Sequence, residues 1–85
     1  MCKSAFAYLL KCADGTLYAG WTNDPDARLT AHNNGVGAKY TRGRRPVVLA
    51  YLECFEDKRT AMRREAELKR MTRTQKLALI NDQTF

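Results

Sequence analysis

The stretch "TLYAGWTNDPDARLTAH", residues 16–32, brings a phenol, a guanidinium and an imidazole close together in Tyr18, Arg28 and His32. A phenol and an imidazole can pass protons, and a guanidinium offers a planar fork of donors to an anion. Such residues can be parts of one active site. The plain alternative is three unrelated core and surface residues. Arg28 and His32 are four positions apart, so on a helix they share a face, one turn from each other.

A carboxylate far along the chain raises a second question. "DKRTAMRREAELKRM" (57–71) reads as a helix. At about 100° per residue, Ala61, Met62, Leu68 and Met71 fall on one side and Arg59, Arg63, Glu67 and Arg70 on the other. Glu65 lies in the middle of the apolar side. A carboxylate on a buried face is costly unless it is paired or holds a metal. Either a buried ion pair with an arginine such as Arg28 or a metal ligand fits that position.

Several elements must position these groups. "FAYLLKC" (6–12) and "TLYAGW" (16–21) are short aromatic and aliphatic runs around the turn signal Asp14-Gly15, which predicts an antiparallel hairpin with Tyr8 and Tyr18 on its two arms. Asn23 or Asp24 can cap a helix that has Pro25 at its first position and Gly35 past its end, over roughly 25–34. "GVGAKYTRGRRP" (35–46) is a Gly-rich basic loop. "VVLAYLECF" (47–55) is nearly continuous in apolar residues and reads as a central strand. Thr72 with Gln75 three residues on fits a capping box opening a last helix over 72–81, with Leu77, Leu79 and Ile80 free to pack. The expected fold is α+β: a small antiparallel three-stranded sheet flanked by helices, in the order β-β-α-β-α-α.

Composition sets the bounds. Eighty-five residues suggest one domain, 1–85 with a core of about 5–81. A domain of this size buries only about 60–65% of the surface its unfolded chain exposes. Fifteen Lys and Arg against nine Asp and Glu give a net charge of +6 and a pI near 9.6, which favours a polyanionic partner. Cys2, Cys12 and Cys54 are odd in number and show no CxxC spacing. That argues against a disulfide framework or a zinc site and for reduced thiols in a cytoplasmic protein. No signal peptide or membrane span is expected.

With these residues in view, the chain resembles the GIY-YIG nuclease domain, in its small single-domain bacterial branch. The likeness runs over about residues 5–81. Phe6-Ala7-Tyr8 stands where the family has Gly-Ile-Tyr, and Tyr18-Ala19-Gly20 where it has Tyr-Ile-Gly. Both tyrosines and the final glycine remain; the first glycine does not. Arg28 matches the family's catalytic arginine, His32 a histidine of some members, and Glu65 the glutamate that binds a single divalent metal. The resemblance implies metal-dependent cleavage of DNA phosphodiester bonds with Mg2+ or Mn2+ as cofactor. It makes Tyr18 the general base and Tyr8 a neighbour that orients water or phosphate, two roles open to exchange.

Such hydrolysis needs an activated water, a donor for the charge developing on phosphate, and help for the leaving oxygen. Mg2+ suits one carboxylate because it keeps most of its waters. The loop residues Lys39, Tyr40, Arg42, Arg44 and Arg45 read as a phosphate clamp with one aromatic for stacking. No base-reading element is present, so the expected specificity is for structure or ends, with a protein partner as a further source of targeting. DNA is the expected substrate, and nothing in the chain separates it from RNA. The competing reading is a catalytically weak nucleic-acid-binding module, for which the altered first motif argues.

Overall fold

The computed structural model describes residues 5–82. Strand β1 (Ala5–Lys11) runs into β2 (Leu17–Thr22), and the two pair antiparallel from Phe6↔Thr22 to Lys11↔Leu17. Asp14 and Gly15 do form the turn. The Asp14 carboxylate accepts from the Thr16 backbone N–H at 3.1 Å and from its hydroxyl at 2.7 Å, and Gly15 takes φ +87°. The loop is five residues long, Cys12 to Thr16, because this local cap closes a wider turn than two residues would.

Helix α1 (Pro25–Asn33) begins as its signals predict. Asp24 accepts from the Ala27 N–H at 3.1 Å, Pro25 opens the first turn, and Gly35 follows with φ +84°. Asn33, at its end, clamps the next strand: its amide donates to Val47 O at 3.0 Å and its carbonyl accepts from Val47 N at 2.7 Å. The basic loop holds a one-turn helix, α2 (Lys39–Arg42), which the glycines around it obscure in the sequence. Strand β3 (Val48–Phe55), helix α3 (Lys58–Arg70) and helix α4 (Arg73–Asp82) complete the expected order. The capping box at α4 forms in both directions, Gln75 N to Thr72 Oγ1 at 3.2 Å and Thr72 N to Gln75 Oε1 at 2.9 Å.

The sheet order is β2-β1-β3, so β1 is central and β3 is an edge strand, contrary to its apolar reading. The reason lies in how the two runs are covered. Ala5, Ala7, Leu9 and Leu10 of β1 are sealed on both faces, whereas Val48 of β3 is 57% exposed and most of that strand is half-buried. On one face Ala7, Leu9, Ala19 and Tyr51 pack on Leu68 of α3, with Met71, Leu79 and Ile80 around them. On the other, Tyr8, Leu10, Cys12 and Val47 form a second cluster with Leu29 of α1. Met62 belongs to neither and is 45% exposed, so the apolar stripe of α3 is narrower than its wheel implies. The expectation of reduced thiols fails at Cys54, which is disulfide-bonded; Cys12 is free and buried, and Cys2 lies outside the described residues. Among the described residues no helix is long and apolar enough to cross a membrane.

Candidate active site

The hairpin register decides where the two tyrosines go. Tyr8 is paired with Gly20, and Tyr18 with Leu10. Paired residues share a face, and so do residues two apart on one strand, so both phenols stand on the α1 side of the sheet. The Tyr8 phenol lies across Gly20: a Cβ there would sit 2.5 Å from Tyr8 Oη and 2.6 Å from Cζ. Gly20 is therefore a space for the other tyrosine. Phe6, in place of the first motif glycine, is half-buried in β1 and keeps its ladder partners Thr22 and Cys54.

His32 is completely buried. Its Nδ1 lies 2.7 Å from Thr41 Oγ1 and its Nε2 lies 3.3 Å from Tyr8 Oη. Thr41 gives its own hydroxyl proton to Ala38 O at 3.1 Å. Its oxygen must then accept, so the imidazole carries its proton on Nδ1 and leaves Nε2 as the acceptor for the Tyr8 hydroxyl. The chain runs Tyr8 Oη–H to Nε2, Nδ1–H to Thr41, and Thr41 to a carbonyl. Burial, with the Arg28 charge adding, holds the imidazole's pKa below its usual value. Burial also raises the Tyr8 hydroxyl's pKa; the neighbouring Arg28 opposes this, while Tyr18 and Glu65 add to it.

Arg28 does share a face with His32. Its Nη2 donates to Gly37 O at 2.8 Å, and its buried Nε has no hydrogen-bond partner. Gly37 also packs on the imidazole, where a Cβ would meet Cγ at 2.6 Å. Thr41 and Gly37 were not singled out for the site by their sequence positions. Both lie in the basic loop, whose charge masks a buried hydroxyl and a close backbone approach.

Glu65 comes from α3, which lies across β1 and β2 on the far side of the sheet. Its carboxylate is 23% exposed and its one ion pair among the described residues is with Lys69, at 3.7 Å, one turn on along the same helix. Arg28 is not that partner. Glu65 nonetheless lies within electrostatic reach of Tyr8. Among the described residues no group of three His, Cys, Asp or Glu side chains could cage a metal. A single, partly exposed carboxylate whose ion pair with Lys69 is 3.7 Å long has the chemistry to hold a divalent ion that keeps most of its waters.

The loop residues divide. Tyr40 stacks on Tyr18 at 5.5 Å between ring centroids, and Tyr18 meets the His32 ring edge-on at 5.3 Å. The Arg44 guanidinium lies 4.2 Å over Tyr40 and pairs with Asp14 at 3.0 Å. These two join the site. Arg42 and Arg45 turn away from it: they donate to Gly35 O and Arg42 O and line a separate cleft of about 530 Å3 with Asn33 and Pro46. Lys39 is exposed.

The family model described as the GIY-YIG catalytic domain matches residues 4–78 of this sequence. The chain belongs to the GIY-YIG family. Membership implies nuclease-type chemistry on nucleic acid. Its relatives include a UPF0213 protein of Clostridium perfringens, 57% identical over 94% of this chain and 86% of that one. A UPF0213 protein of Staphylococcus haemolyticus is 52% identical over 91% and 94%. Among solved structures, the fold resembles the solution NMR structure of a UPF0213 protein from Bacillus halodurans. The TM-score is 0.58, with 44% identity, covering 91% of this chain and 82% of that one. It is similar also to an NMR structure of an E. faecalis protein, with TM-score 0.60, 41% identity and coverage of 95% and 90%. In GIY-YIG terms, the second motif's glycine is the seat of the first motif's tyrosine.

Proposed function

We propose that this GIY-YIG chain is a divalent-metal-dependent nuclease that hydrolyses DNA phosphodiester bonds and selects its substrate by structure or ends. The observation that carries this reading is Arg28. A half-buried guanidinium, with a buried Nε that has no partner, stands beside a phenol that is hydrogen-bonded to an imidazole lone pair. An anion-holding group next to a proton relay is what a phosphodiester and its attacking water require.

In this reading Tyr8, rather than Tyr18, takes the water's proton. Its Oη gains that proton as its own passes to His32 Nε2, and the imidazole becomes imidazolium. The low proton affinity of the buried imidazole lets it release the proton again after cleavage. Thr41 keeps Nε2 open for this step, and Tyr18 walls the imidazole and carries Tyr40. Arg28 neutralises charge developing on the phosphate, anchored by Gly37 O. Glu65 is the group that would hold Mg2+ or Mn2+, which when bound supplies charge neutralisation at the leaving oxygen. Arg44 and Tyr40 flank the entrance, with Lys39, Arg42 and Arg45 as outlying phosphate contacts.

The reading is tested on matched single-stranded, duplex, nicked and flapped DNA, and on RNA, with Mg2+ or Mn2+ and with EDTA. Cleavage of at least one DNA form that EDTA abolishes is expected. No cleavage of any form, with binding retained, would leave the chain a nucleic-acid-binding module.

A further inference from the structure

Beyond Tyr40, on the side away from the relay, a groove of about 190 Å3 opens between the hairpin turn and α4. It is lined by Thr16, Leu17, Tyr40, Arg73 and Lys76. Arg73 Nη1 donates to Gly15 O at 2.6 Å, which ties the first turn of α4 to the hairpin and holds the guanidinium at the groove's edge. Lys76 is three residues on, on the same face. Neither cation has a carboxylate within ion-pair distance among the described residues. Asp14, the acidic group on the hairpin turn, is already engaged by Arg44 at 3.0 Å. The groove is therefore cationic, and its lip is a tyrosine 41% exposed and stacked on Tyr18.

We propose that this groove takes the phosphates of a single strand of nucleic acid running off the catalytic site across Tyr40, with Arg73 and Lys76 as the cationic contacts. The inference rests on the nuclease reading above and adds to its substrate path a groove whose lining is distinct from that of the Arg42–Arg45 cleft. A single strand fits better than a duplex. The opening is narrow, bounded by a turn and a helix, and it joins an aromatic to two spaced cations, the combination that tracks an unpaired backbone. Helix α4 then serves as more than a core element: its inner face packs Leu79 and Ile80 while its first turns hold phosphate.

The test is fluorescence anisotropy in EDTA with a labelled DNA single strand of about 12 nucleotides, within the site sizes of such proteins, and with a blunt duplex of the same length. Proteins compared are wild type, Lys76→Gln, Arg73→Gln/Lys76→Gln, and the loop pair Lys39→Gln/Arg42→Gln, with thermal melts on each. Lys76→Gln is included because it leaves the Arg73–Gly15 tie intact. The groove double variant should weaken single-strand binding roughly tenfold. Its log–log salt slope should fall by about 1.4, from two phosphate contacts at about 0.7 each. Lys76→Gln should show about half of that slope change. Unchanged single-strand affinity and slope in both groove variants, with the loop pair weakened, would overturn the groove and leave the nuclease reading standing. A loss confined to the duplex would overturn the single-strand assignment. No binding by wild type to either DNA would remove both.

Discussion

Tyr8 of β1 and Gly20 of β2 are direct cross-strand partners, and the phenol of the first lies over the bare Cα of the second. That one relationship brings the Tyr8 hydroxyl to His32 Nε2 at 3.3 Å and seals the residue to 2% exposure. A tyrosine ten residues before another, with a glycine two beyond the second, is the sequence trace of a ring laid across a neighbouring strand.

Gly20→Ala should therefore damage the site through sterics alone. Its methyl would come within 2.5 Å of Tyr8 Oη, and the buried phenol has to swing away from the imidazole. Overpacking of this kind costs about 1–3 kcal/mol, measurable as a shift in the urea midpoint with an unchanged slope. Cleavage should fall with it. Wild-type stability and activity in Gly20→Ala would mean that the phenol does not occupy this seat.

Thr41→Val keeps the shape of the side chain and removes the oxygen that accepts from His32 Nδ1. The imidazole should then populate the other tautomer, with its proton on Nε2, visible in the ring 15N shifts. Turnover should fall by about 10²-fold, the usual scale of one acid–base contribution, and Thr41→Ser should restore it. An unchanged tautomer in Thr41→Val would detach Thr41 from the relay.

Stability should follow pH in a definite way. The His32 pKa is lowered by folding, so below roughly 6.5 the unfolded chain binds a proton that the native chain resists, and stability drops as pH falls. The Tyr8 pKa is raised, so above roughly 10 the unfolded chain loses a proton first and stability drops as pH climbs. Urea denaturation across pH should show a plateau between the two. His32→Gln should flatten the acid shoulder near 6.5, and Tyr8→Phe should reduce the alkaline one, to which Tyr51, also raised by burial, adds its share. Asp14 and Asp57, held below the usual carboxylate range by their Thr16 and Thr60 hydrogen bonds, add a later loss at more acid pH.

Arg28→Lys retains the charge but not the planar fork, so it cannot keep both the Gly37 tie and a donor for phosphate. Cleavage should fall by about 10²–10³, the cost of removing one donor aimed at developing charge, while nucleic-acid affinity changes little. Full activity in Arg28→Lys would show that any nearby cation suffices.

Much of this was legible in the sequence because local chemistry governed it. Asp24-Pro25 and Thr72 with Gln75 opened their helices, and the four-residue spacing of Arg28 and His32 put both against the sheet. What escaped depended on distant partners. The burial of His32 is set by Thr41 and Gly37, nine and five residues on, inside a loop whose arginines advertise solvent. The edge position of β3 could not be read from an apolar run, since such a run looks the same at the centre of a sheet and at a margin that helices cover only in part. Glu65 was visible as a carboxylate on an apolar face, but its pairing with Lys69 rather than an arginine depends on how α3 lies across β2.

In the proposed mechanism Tyr8, Arg28 and Glu65 act together in one phosphate-cleaving site. Single-turnover cleavage by wild type, Tyr8→Phe and Glu65→Gln, with Mg2+ and at saturating enzyme, tests it most directly. Each variant should lose at least about 10²-fold in rate, with near wild-type melting for Glu65→Gln. Wild-type cleavage rates in both variants would contradict that mechanism.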